Sequence, residues 1–94
     1  MKFSKDYPKL SWNVFTTIRQ NKGYYEEGQR IPITTPRGEF WAEIVSIRYL
    51  KKEEITDTIA DYDAKTSKLA LINMLERWYG QTYNDFILIT LMRR

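Results

Sequence analysis

The stretch Phe86-Ile87-Leu88-Ile89-Thr90-Leu91-Met92 is apolar at positions of both parities, and it constrains the fold more than any other segment. Successive side chains of a strand point to opposite faces of its sheet. A strand over Asp85–Met92 therefore carries Phe86, Leu88 and Met92 on one side and Ile87, Ile89 and Leu91 on the other, and must lie centrally with a helix over it. The cover comes just before it: Leu71, Ile72, Leu75, Trp78 and Tyr79 form an apolar stripe at helical spacing. Thr66 or Ser67 stands where an N-cap belongs, and Gly80 where the helix ends.

The other elements follow from local pattern. Trp12 to Arg19 is a dense β-branched and aromatic run and predicts a strand. Alternation places Trp12, Val14, Thr16 and Ile18 on one face and Asn13, Phe15, Thr17 and Arg19 on the other. Gln20 to Gly28 is polar, holds two glycines and predicts a loop carrying Lys22, Tyr24 and Tyr25. Arg30 to Thr35 predicts a strand that is either at an edge or bulged, because Pro32 donates no ladder hydrogen bond. Thr35-Pro36-Arg37-Gly38 has the proline and glycine of a type I turn, so Glu39 to Leu50 returns as a hairpin partner. Its apolar parity switches between Ile44 and Val45, which predicts a bulge near Ile44. Lys51 to Asp63 turns helical and acidic, with Ile55 and Ile59 four apart on one side.

With 94 residues there is room for one core, so the chain is expected to be a single domain over 1–94. The expected class is α+β: a small mixed β-barrel with two helices inserted before the last strand, binding ligands at its mouth. No run approaches a membrane span, and no apolar region follows the lysine-dotted start, so a soluble, cytoplasmic protein with no membrane partner is expected.

The composition narrows the chemistry. There is no cysteine and no histidine, which removes thiol nucleophiles, the usual general base and the commonest metal ligand. No metal site and no cofactor is expected. The remaining residues suit phosphate binding, carboxylate acid–base work or a hydroxyl nucleophile helped by a lysine. The net charge of +3 is unevenly spread, with seven basic and three acidic side chains in residues 1–37, three and seven in 38–64, and five and two in 65–94. If the two basic ends meet, they make a face suited to a phosphate backbone; scattered solvated charge is the plain alternative.

Three constellations bear on function. Thr16-Thr17-Ile18-Arg19 with Lys22 gathers hydroxyls and cations at a strand end, a way to bind an anion without histidine, though threonines also populate strands for their propensity alone. Tyr24 and Tyr25, with Trp12 and Trp41, are interleaved with Lys22, Arg30 and Arg37, as stacking platforms for bases are. Trp41 is expected to belong to the core, which leaves the two tyrosines as the better stacking candidates. Asp61-Tyr62-Asp63 sets two carboxylates between the helices, where capping is the ordinary role.

Phe15-Thr16-Thr17-Ile18-Arg19, then Tyr25-x-x-Gly28-Gln29, a basic hairpin, Ile47-Arg48-Tyr49-Leu50, Glu54-Ile55-Thr56, Tyr62-Asp63 and Tyr79-Gly80-Gln81 together resemble the ASCH domains of the PUA-like superfamily, over nearly the whole chain. The resemblance implies RNA or nucleoside handling at the barrel mouth. Some small members are amidohydrolases that deacetylate acetylcytidine, others ribonucleases or RNA-binding modules. In an enzyme of that kind Thr17, Lys22 and Asp63 would be the catalytic candidates. Val14, however, stands at the position of the family's lysine and cannot activate a hydroxyl. The expected function is therefore RNA binding through Thr17, Arg19, Lys22, Tyr24, Tyr25 and Arg37, with Asp63 accepting from an exocyclic amine and a nucleoside hydrolase or ribonuclease as the alternative.

Overall fold

Strands β1 (Val14–Gln20), β2 (Arg30–Thr35), β3 (Gly38–Leu50) and β4 (Phe86–Arg93) and helices α1 (Asp57–Ala64) and α2 (Lys68–Tyr79) make up a computed structural model that describes residues 1–94. The class is α+β, and the strands form one antiparallel sheet in the order β1-β4-β3-β2. β4 is central, as its double apolar parity requires. Ile87, Ile89 and Leu91 enter one core cluster with Phe3, Leu10, Phe15 and the inner residues of β2 and β3. Phe86 enters a second with Ile18, Leu50, Ile55, Ala60 and the α2 residues Leu71 and Leu75. The β3–β4 register shifts between Ile44 and Ser46, a bulge that lets Ala42 and Ile44 serve the first cluster and Leu50 the second.

The expected barrel is not closed by these four strands: the sheet is open, with β1 and β2 at its edges. The N-terminal segment lies between those edges. Thr34 N–H donates to Met1 O and Phe3 N–H to Thr34 O, each at 2.8 Å, while Lys2 O accepts from the Arg19 guanidinium of β1 at 3.1 Å. Phe3 closes over the first cluster, edge to face with Phe15 at 6.3 Å between centroids.

Two further expectations are corrected. The helical stretch from Lys51 to Asp63 is split into a 3-10 turn at Lys52–Glu54 and α1. Ile55 is extended between them, and the Thr56 hydroxyl accepts from Ile59 N–H at 3.1 Å, so a fresh N-cap starts the second piece. Trp41 is not a core residue: it lies on the outer face of β3 opposite Pro32, more than half exposed. The α2 cap is Ser67, accepting from Ala70 N–H at 3.2 Å, and Gly80 ends the helix at φ 94°, where glycine alone is unstrained.

Candidate functional site

β1 is an edge strand, and what its open side meets decides the site. Arg93 N–H bonds to Asn13 O and Asn21 N–H to Asp85 O. By antiparallel alternation Phe15, Thr17 and Arg19 thus turn their backbone groups toward β4, and Val14, Thr16 and Ile18 turn theirs out of the sheet. Exposed strand edges are normally covered, and here α1 and the N-terminal segment do so in sequence. Tyr62 Oη donates to Val14 O at 3.0 Å, and Lys9 Nζ donates to Thr16 O at 2.7 Å. The next outward residue, Ile18, lies where α1 has ended, and it lines a cleft of about 210 Å³. By the same alternation its amide and carbonyl point out of the sheet, away from β4.

The cleft floor is a buried ion pair. Lys9 Nζ lies 3.2 Å from Asp63 Oδ1, with side chains only 5% and 8% exposed, and Thr16 Oγ1 donates to the same oxygen at 3.2 Å. Asp63 Oδ2 takes no hydrogen bond from the protein, yet no buried side-chain polar atom is unpartnered, so this oxygen reaches the cleft surface. Phe3 and Tyr7 stand beside the ammonium, their ring centroids 5.5 and 5.3 Å from Lys9 Nζ, a cation–π arrangement in a desolvated place. Burial raises the Asp63 carboxyl above its ordinary value, against the pull of Lys9 and of the Thr16 hydroxyl. Burial likewise lowers the Lys9 amine, which Asp63 opposes.

Thr17 is buried, and its hydroxyl accepts from Arg19 Nε at 3.2 Å, leaving its own proton free to donate. The Arg19 guanidinium stacks 4.7 Å from the Phe3 centroid and, with Lys2, stands at the cleft's charged rim. Trp78 and Tyr79 of α2 provide the aromatic wall.

The structure brings together Thr17, Arg19 and Asp63 of the sequence candidates in this cleft. Lys22, Tyr24 and Tyr25 line a smaller adjoining hollow of about 90 Å³, which shares Arg19 and Tyr79 with the first. Arg37 lies elsewhere: it pairs with Asp6 at 2.5 Å in a third concavity, at the β2–β3 hairpin. Trp12 also stands apart, packed on Tyr62 at 5.3 Å with Lys65 over its ring. Asp63 is no helix cap but the buried partner of Lys9, while Asp61 is exposed.

Lys9 is the residue that sequence reasoning misses, since nothing between Pro8 and Leu10 ties it to a carboxylate 54 positions away. The one available signal is a lysine set between Pro8 and Leu10 with Tyr7 and Trp12 nearby, a context in which a charge is buried only if paired. No group of three or more Asp or Glu side chains is placed to hold a metal ion. No helix is long and apolar enough to cross a membrane. Comparison with protein-family models, curated proteins and solved structures finds no match to the chain.

Proposed function

We propose that the chain is a PUA-like, ASCH-type module that binds RNA by taking one nucleotide into the cleft between β1 and α2. The observation that carries this reading is a small cleft of mixed polar and apolar lining, whose buried cation Lys9 is neutralised by Asp63 and whose rim carries Lys2 and Arg19. About 210 Å³ is below the usual range for drug-sized ligands and suits a single base. The Ile18 amide and carbonyl, the Thr17 hydroxyl and Asp63 Oδ2 are the donors and acceptors a base edge requires. Tyr7, Trp78 and Tyr79 offer faces for stacking, and Arg19 and Lys2 meet the phosphate.

A phosphate-dependent interaction releases counterions. With three phosphates met by Lys2, Arg19 and Lys22, log affinity for single-stranded RNA falls with log salt at a slope of roughly −2, about 0.7 per phosphate. Fluorescence anisotropy at two salt concentrations reads it. Affinity unaltered by combined Arg19→Ala and Lys22→Ala substitution would refute the reading.

The ion pair favours one second reading, amide hydrolysis of an acylated nucleoside. Lys22 belongs to the adjoining hollow, but Lys9 sets an amine in the threonine-bearing cleft, which Val14 could not. Lys9 already donates to Thr16 O and Asp63 as an ammonium, so it must lose a proton before acting as a base. Binding is therefore preferred. Loss of acetyl from acetylcytidine with the unaltered chain, absent in Thr17→Val, would reverse that order.

A further inference from the structure

Arg19 and Tyr79 border two cavities at once, the cleft of about 210 Å³ and the hollow formed by the loop after β1. That loop is shaped in advance. Gly28 N–H donates to Ile44 O at 2.7 Å, the Asn21 side-chain amide to Asp85 at 3.2 Å, and Ile47 N–H to the Glu27 carboxylate at 3.2 Å. Tyr25 packs against the first core cluster. Its phenol is pushed up to about 12, by burial first and then by the neighbouring Tyr24, and so stays protonated and neutral. Tyr24 rests on Tyr25 with centroids 4.6 Å apart, yet more than half of Tyr24 is exposed. An aromatic ring held by a rigid, anchored neighbour and open to solvent is a stacking platform with little ordering cost.

Of the guanidinium donors of Arg19, Nε is given to Thr17 and one hydrogen of Nη2 to Lys2 O, and the rest take no protein acceptor. Arg19 lines both cavities, and Lys22 lines the second.

Building on the nucleotide reading of the main cleft, we infer that the ligand is a single strand of at least two nucleotides. One base enters the cleft, its neighbour stacks on Tyr24, and Arg19 holds the phosphodiester that joins them. Single-strand binders work in this way, with stacking that tolerates any base and a cation tracking the backbone.

The test is titration of the full chain, at low salt, with each of the common ribonucleoside 5′-monophosphates and then with the ribodinucleotides built from them. The preferred dinucleotide binds about ten- to a hundredfold tighter than its preferred mononucleotide, as one added stack predicts. Tyr24→Ala, at an exposed position that leaves the core intact, removes that gain and leaves the mononucleotide Kd unchanged; Tyr24→Trp keeps the gain. Equal affinity for mono- and dinucleotides, or a Tyr24→Ala chain that loses both equally, overturns the second subsite while leaving the cleft reading in place. No binding of either probe overturns both.

Discussion

Asp63→Ala lowers the stability of the fold by about 3–5 kcal/mol, because it removes the oxygen that accepts from both Lys9 and the Thr16 hydroxyl and leaves a buried ammonium without its partner. For a domain of this size that is a fall in Tm on the order of 15 °C or more, read by thermal denaturation. Lys9→Met alone is similarly damaging, since it leaves the carboxylate unpaired. The double substitution Lys9→Met with Asp63→Leu recovers most of the loss, as replacement of a whole buried pair by apolar groups commonly does. A double variant as unstable as either single one would mean that the pair does more than neutralise itself.

The same pair sets a pH signature. Asp63 has a raised value in the fold, so the folded chain holds that proton to higher pH than the unfolded chain. Its contribution to stability is present below the ordinary carboxylate value and is lost as pH rises through the raised one. Lys9 is lowered, so the folded chain releases its proton first, and stability increases as pH climbs from the lowered value toward about 10.4, the ordinary one for lysine. The double variant lacks both slopes.

The second large effect is at Phe15, fully buried and edge to face with Phe3 at 6.3 Å and with Phe40 at 6.1 Å. Phe15→Ala costs about 3–5 kcal/mol through lost burial and the cavity left behind. It also frees Phe3, which braces both Lys9 and Arg19. Nucleotide affinity therefore falls even at a temperature where the variant is still folded. Unchanged affinity in that folded variant would show that the N-terminal segment does not position Arg19.

What could be read in the chain was whatever local pattern decides. The strands follow from β-branched runs, the hairpin from Pro36 and Gly38, the β3 bulge from a parity switch, and the central place of β4 from its two apolar faces. Thr17 and Arg19 were legible as candidates because hydroxyls and cations gather at the end of one strand, and Asp63 because two carboxylates stand together between the helices. The Lys9–Asp63 pair was not, because a long-range ion pair leaves no periodicity. The split of the Lys51–Asp63 helix was missed because Thr56 reads as helical by pattern yet acts as a cap. Trp41 was misplaced because aromatic bulk signals burial, whereas strand parity, with Phe40 and Ala42 pointing inward, sends it out.

The central claim is that a nucleotide enters the cleft beside the open edge of β1. An amide-resolved NMR titration of the chain with a mixture of the common ribonucleoside 5′-monophosphates tests it most directly. The account predicts saturable shifts at the Thr17, Ile18 and Arg19 amides and at the Trp78 indole N–H, with the hairpin around Arg37 unmoved. A spectrum unchanged at low salt, or shifts confined to that hairpin or to the outer sheet face around Trp41, would contradict it.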